Sequence, residues 1–267
     1  MKNIYPRLLT ERYGISGEAV SDEMQPWETV EAIGKKRGFL VRGGEVDFSR
    51  TAKMLLDELR GGKMGRISFE NALRGKGYKS ICGVDEAGRG PLAGNVVAGA
   101  VIIPEGLIIE GLDDSKKLSE KKRERLYDII TEKTVWAVAW ASPAEIDEYN
   151  ILGATMLAMK RAIEALPQKA DFALIDGNRA KGFEMPVETV IKGDARSCSI
   201  AAASIIAKVT RDRQCLELDK KYPEYGFAIH KGYPTKAHMD AVIRLGACPE
   251  HRKSFLSFVE RAKKDEK

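Results

Sequence analysis

The sequence predicts an α/β protein, a mixed sheet covered by helices, with a small helical module in front of it. Three observations carry this. From Ser80 onward, runs rich in β-formers alternate with stretches of helical spacing. Ile200 to Ala207 is apolar nearly all round and must be buried. Before about residue 75 there is only helical spacing, broken by paired glycines. With 267 residues, 43% hydrophobic and 31% charged, the chain can bury a core and does not read as disordered.

In order, Trp27 to Lys36 carries Val30 and Ile33 at helical spacing, and Phe48 to Leu59 carries Ala52, Leu55, Leu56 and Leu59. Gly43-Gly44 and Gly61-Gly62 break these stretches, the module ends near Gly65, and Leu73 to Lys79 reads as a linker. Ser80 to Val84 and Val96 to Ile103 read as strands joined by a wide loop with Gly88, Gly90, Pro91 and Gly94. Ser119 caps a helix to about Lys133, and Trp136 to Ala141 is a third strand. A helix from Pro143 to Leu166 follows, then strands Phe172 to Ile175 and Val187 to Ile191, then a long helix from Ser197 to Lys220. The domains are therefore 1–75, helical and basic, and 76–267, the sheet with its helices.

The net charge of +5 favours polyanionic partners without demanding them. Cys82, Cys198, Cys215 and Cys248 form no CxxC pair, which disfavours zinc and a disulfide framework. No apolar run is long enough to span a membrane, and no apolar leader core follows Met1, which points to the cytoplasm.

Carboxylates recur just after apolar strands: Asp85 with Glu86, Asp176, and Asp194. Strand ends are where functional groups converge in α/β sheets. Taken singly these residues have plainer readings. Asp176-Gly177 makes a turn, Asp194 an N-cap for the long helix, and adjacent Asp85 and Glu86 face opposite sides of a strand unless it bends or stops. Four carboxylates in one cleft would repel one another unless cations neutralise them. Two Mg²⁺ ions could do so and also support an in-line displacement at phosphorus.

The run Gly83-Val84-Asp85-Glu86-Ala87-Gly88-Arg89-Gly90-Pro91-Leu92-Ala93-Gly94 resembles the signature of the bacterial ribonuclease HII family. Further blocks follow in family order: Asp114 to Ser119, Tyr149-Asn150-Ile151, Ile175-Asp176-Gly177, Lys192-Gly193-Asp194, Ser199 to Asp212, His230 to Tyr233, and His251 to Phe255. The resemblance covers about residues 78–262. It implies a ribonuclease H-like fold, a five-stranded mixed sheet flanked by helices. It implies a monomeric endonuclease that uses Mg²⁺ or Mn²⁺ to cut the RNA strand of RNA–DNA hybrids, and duplex DNA 5′ of embedded ribonucleotides, leaving 3′-hydroxyl and 5′-phosphate ends. Asp85, Glu86, Asp176 and Asp194 fall on its catalytic and metal-binding set. Asp212 is the rival for the fourth position. Gly88, Arg89 and Gly90 fall on the loop that reads the ribose 2′-OH through main-chain groups, Tyr233 on a tyrosine stacked beside the sugar, and Lys116 on a lysine near the scissile phosphate. His230, His238 and His251 make no zinc site, and His251 anchors or terminates the last helix.

Residues about 1–72, through Tyr13-Gly14, Gly34 to Gly38, Gly43-Gly44 and Leu59 to Arg66, resemble the C-terminal helical domain of a bacterial ribosome-assembly GTPase. No GxxxxGK[ST] is present, so this similarity implies RNA contact by the module, not nucleotide hydrolysis.

Overall fold

A computed structural model describes residues 6–21, 23–60 and 69–259. The chain divides into two compact units, 1–68 and 69–267. In the first, α1 (Pro6–Tyr13), α2 (Pro26–Lys36) and α3 (Phe48–Arg60) surround a small core of Leu9, Tyr13, Ile15, Val20 and Ile33. Tyr13 Oη and Arg12 Nε both donate to Glu58 Oε2, at 2.7 and 2.8 Å, tying α1 to α3. Lys35, Lys36, Arg37, Arg42, Arg50 and Lys53 are all exposed. The break expected at Gly61-Gly62 and the module end near Gly65 lie outside the described residues.

The second unit contains a five-stranded sheet in the order β3-β2-β1-β4-β5. It begins with α4 (Phe69–Arg74), followed by β1 (Ile81–Ala87), β2 (Val96–Ile102), α5 (Glu120–Lys133), β3 (Val135–Ala141), α6 (Pro143–Glu164), β4 (Phe172–Asp176) and β5 (Val187–Val190). Then come α7 (Cys198–Lys221), α8 (Phe227–His230) and α9 (Lys236–Leu245). β1, β2 and β3 pair antiparallel, while β4 pairs parallel to both β1 and β5. Strand alternation sends Cys82 and Val84 to the face covered by α6, with Ala154, Ala158 and Met159. Ile81 goes to the opposite face, against Ile200 of α7. The alanine-rich start of α7 lies so close to β1 that a Cβ on Gly83 would stand 2.2 Å from the Ile200 nitrogen. A side chain there would have to push the helix off the sheet.

The domain boundary differs from the one expected at 75/76. Leu73 and Arg74, read as the start of a linker, instead close a short helix, 69–74, that belongs to the sheet unit, where Leu73 packs with Ile81, Phe172 and Leu174. Glu70, 3% exposed, accepts hydrogen bonds at Oε1 from Ser197 Oγ (2.7 Å) and the Ser199 amide (2.9 Å), at the start of α7. A six-residue helix flanked by glycines carries too little periodic signal to be told from a linker by sequence.

A chain beginning at Phe69 is expected to melt cooperatively. One beginning at Gly77 loses the Glu70 cap and the buried Leu73, and should be less stable by about 3 kcal/mol in denaturant titration. Coincident curves would show that residues 69–76 contribute nothing.

Candidate active site

The site forms where the parallel strands end. β1 and β4 pair up to Val84 opposite Ile175, so the next residue on each, Asp85 and Asp176, stand side by side at the rim. β1 runs on through Ala87 against β2 alone, which leaves Asp85 and Glu86 on a strand end with no parallel neighbour. The strand does not bend between them. Asp85 faces one cleft, while Glu86 borders both that cleft and the adjacent one lined by Asp176.

After β5 the chain passes through Lys192, whose φ of 55° turns it left-handed, into a short 3-10 turn, Gly193–Ala195. The Gly193 amide donates to Asp176 Oδ1 at 2.7 Å, holding that carboxylate against the turn that carries Asp194. Asp194 is not the cap of the long helix. Ser197 takes that place, accepting from the Ile200 amide at 3.1 Å, and Asp194 lines the cleft. One cleft thus collects Asp85, Glu86, Gly88, Arg89, Gly90, Lys116, Asp194 and Tyr233, and Asp176 lines the adjacent cleft that Glu86 also borders. Asp212 pairs with Lys208 one helical turn away, Nζ to Oδ1 at 2.6 Å.

Electrostatics distinguishes this cluster from ordinary turn carboxylates. Asp85 is only 8% exposed, and burial, then the charges of Glu86 and Asp176, push its carboxyl well above the usual carboxylate range. Burial raises Glu86 too, against the opposing pull of Arg89, whose Nη1 lies 3.2 Å from Oε1. Asp194 is raised by burial, then by Asp114 and Asp176, with Lys116 opposing. Among the described residues, no three Asp, Glu, His or Cys side chains form a ready-made ion cage. The donor set nonetheless fits a hard cation: it is all oxygen, anionic and under mutual repulsion. Mg²⁺ in particular binds through one or two carboxylates with water and substrate phosphate completing its shell.

Two residues absent from the sequence-based candidates shape the glycine loop. Arg252, fully buried, donates from Nη2 to the carbonyls of Gly88 (2.6 Å) and Gly94 (2.8 Å), from Nη1 to those of Arg89 (3.0 Å) and Pro91 (2.7 Å), and from Nε to Gly94 again (3.0 Å). Burial, with Arg211 nearby, pulls its guanidinium down to about 9. Arg211, 2% exposed, donates to the carbonyls of Ala93 (3.2 Å), Asn95 (3.3 Å) and Lys231 (3.0 Å). In a trans peptide the C=O and N–H point opposite ways. Turning the Gly88 and Arg89 carbonyls inward therefore turns the Arg89 and Gly90 amides towards the cleft. Gly88, with φ of 97°, has no room for a side chain, since a Cβ would lie 2.0 Å from Arg211 Nε. Arg211 could have been suspected, being an arginine on the buried face of α7 between Ala207 and Cys215. Nothing in the sequence pattern signals what Arg252 holds.

His251 lies beyond the end of α9 and does not terminate it. It anchors that helix through its Nε2, 3.0 Å from His238 Nε2.

Comparison with known proteins points to one family. Residues 82–258 match the family model described as Ribonuclease HII. The chain is 59% identical over 181 residues to a ribonuclease HII of Vibrio vulnificus, covering 67% of this chain and 87% of that one. It is 61% identical over 179 residues to a ribonuclease HII of Psychromonas ingrahamii, covering 67% and 88%. Among solved structures, ribonuclease H2 of Pyrococcus horikoshii superposes with a TM-score of 0.58 at 29% identity, over 68% of this chain and 98% of that one.

The raised carboxyls give a signed prediction. Asp85, Glu86 and Asp194 hold protons more tightly folded than unfolded. Their contribution is present below the ordinary carboxylate pKa of about 4 and is lost as pH rises through the higher folded values. Glu145, held at about 2 by Arg161, acts in the opposite direction, so the cluster is isolated by difference. Metal-free Asp85→Asn should melt above the metal-free wild type at neutral pH and lose that advantage in acid, and added Mg²⁺ or Mn²⁺ should raise the wild type selectively. Parallel melting curves across pH for the two proteins would refute this.

Proposed function

The chain belongs to the ribonuclease HII family, and from that membership we propose that it cleaves the RNA strand of RNA–DNA hybrids and incises duplex DNA 5′ of a single embedded ribonucleotide. It is a metal-dependent endoribonuclease. The proposed products carry 3′-hydroxyl and 5′-phosphate ends, and the role is removal of ribonucleotides from replicated DNA in the cytoplasm. Two divalent cations, Mg²⁺ or Mn²⁺, bound by Asp85, Glu86, Asp176 and Asp194, would supply an activated water and offset charge at the scissile phosphate.

The observation that carries the reading is the meeting, in one cleft, of Asp85, Glu86 and Asp194, with Asp176 in the adjoining cleft, and a loop whose carbonyls are turned away. The outward amides of Arg89 and Gly90 can donate to a ribose 2′-OH, a group that both donates and accepts. Arg89 is engaged with Glu86, so its backbone rather than its guanidinium is the reading element. Lys116, whose charge opposes the rise of both Glu86 and Asp194, lines the same cleft and would offset charge on a scissile phosphate there. Tyr233, 43% exposed, has its ring beside Gly90, within 3.6 Å of where that residue's Cβ would be, and can stack on the neighbouring sugar. The decisive assay is a DNA duplex with one ribonucleotide, incubated with Mg²⁺ and mapped at nucleotide resolution; cleavage independent of the 2′-OH would refute the proposal.

Asp85→Asn, Glu86→Gln, Asp176→Asn and Asp194→Asn should each lower turnover by orders of magnitude while the protein stays folded. Asp212→Asn should cost little, because Asp212 serves an ion pair within α7. Near-normal turnover in Asp194→Asn with loss in Asp212→Asn would reverse the assignment.

The basic first unit is proposed to add contacts to a nucleic-acid backbone, RNA included. Removing residues 1–68 should raise the substrate concentration needed at low salt, and the gap should narrow as salt rises. Equal half-saturation at every salt concentration would exclude that role.

A further inference from the structure

Three buried histidines lie behind Tyr233, and their hydrogen bonds fix every ring nitrogen. His230 is 9% exposed, His238 fully buried and His251 3% exposed. His230 Nε2 lies 2.7 Å from the Tyr225 carbonyl and must donate to it, which leaves Nδ1 to accept the Gly232 amide at 3.1 Å. His238 Nδ1 lies 2.9 Å from the Tyr233 carbonyl and must donate there, so its Nε2 accepts from His251 Nε2 at 3.0 Å. His251 Nδ1 in turn accepts the Cys248 amide at 3.0 Å. Each nitrogen has one consistent role only if all three rings are neutral.

These rings grip a turn of unfavourable shape. Lys231 and Gly232 are consecutive left-handed residues, with φ of 51° and 79°, and Lys231 has a side chain that disfavours this. His230 holds the turn from one end through the Gly232 amide. His238 holds it from the other through the Tyr233 carbonyl, which also accepts the Thr235 amide at 2.8 Å. The two imidazoles stack with centroids 4.2 Å apart and planes 14° from parallel, so the grips share one rigid body. The Leu92 amide bonds the Gly232 carbonyl at 2.8 Å and joins this turn to the glycine loop opposite.

We infer that His238, backed by His230 and His251, is a positioning residue that sets where the Tyr233 ring meets the sugar beside the ribonucleotide, and hence how sharply the enzyme recognises a single ribonucleotide in DNA. This rests on the reading of Tyr233 as a substrate contact. His238 touches no substrate atom and acts through the backbone of Tyr233.

Two variants separate the two ends of the ring. An asparagine amide nitrogen sits where Nδ1 does and can still donate to the Tyr233 carbonyl. A glutamine amide sits where Nε2 does and keeps only the link to His251. His238→Gln should lower kcat/KM for incision at a single ribonucleotide about tenfold, whereas His238→Asn should stay within about threefold of wild type, with affinity for an all-DNA duplex little altered in both. In a Tyr233→Ala background, His238→Gln should add almost nothing, because the group it positions is gone. The proposal fails if the two His238 variants are equally impaired, or if the His238→Gln loss persists in full without Tyr233. A Tyr233→Ala protein that incises normally would overturn the Tyr233 reading and this inference together; a strong Tyr233→Ala defect with normal His238→Gln overturns the inference alone. Should the variants not fold, ¹⁵N chemical shifts of the wild-type imidazoles decide. Neutral His238 with its proton on Nδ1 supports the assignment, and a charged ring or an Nε2 proton overturns it.

Discussion

Carboxylates crowded at the rim of two parallel strands set the constraint around which the rest of the site is arranged. Asp85 is buried, Glu86 and Asp194 are partly so, and each raises the cost of ionising its neighbours. A fold that needed only to be stable would not gather them there. The surroundings limit the cost without removing it. Asp176 accepts the Gly193 amide, Arg89 lies against Glu86, and Lys116 reaches the field of both Glu86 and Asp194. The long helix is capped by Ser197 with Glu70 behind it, which frees Asp194 from that duty. What remains is a negative field matched to hard cations and to a polyanion brought in with them.

Much of this could be read before any coordinates. The strands announced themselves through β-branched runs, and the burial of Ile200 to Ala207 followed from its lack of a polar face. The carboxylates stood out because they recur directly after strands. Strand alternation set Asp85 and Glu86 on opposite sides of a regular strand, yet both line one cleft: the parallel pairing ends at Val84, and Glu86 also borders the adjacent cleft. Residues whose roles depend on distant backbone were illegible. Arg252 serves carbonyls roughly 160 residues earlier in the chain, and no local pattern encodes that. Glu70 meets its partner Ser197 at a separation of 127 residues from a helix too short to be periodic. The histidines were visible as residues, but their meaning lies in which nitrogen faces which carbonyl.

Among the described residues, the buried Arg211 and Arg252 contact no carboxylate, and their guanidiniums are held mainly by carbonyl oxygens. Their positive charges, with no carboxylate beside them, both shape the loop and offset part of the repulsion among the carboxylates of the cleft that Arg211 lines. A carboxylate placed to neutralise Arg252 would compete for the guanidinium and let the loop carbonyls turn outward. The neutral histidines work differently: they bind amides and carbonyls next to Tyr233 and add no charge near the cleft.

The position of Arg252 in the chain bears on how the site comes into being during synthesis. Asp85 and Glu86 leave the ribosome early, and even Asp194 emerges well before the residue that shapes the glycine loop, since Arg252 follows Gly88 by 164 residues. A nascent chain can pair its strands and bring its acidic side chains together while the loop beside them is still unclamped. Ordering of that loop is therefore a late, non-local event, of the kind that makes high-contact-order domains fold slowly. The polypeptide can gather its charges first, and the glycine loop takes its clamped shape only once Arg252 is available.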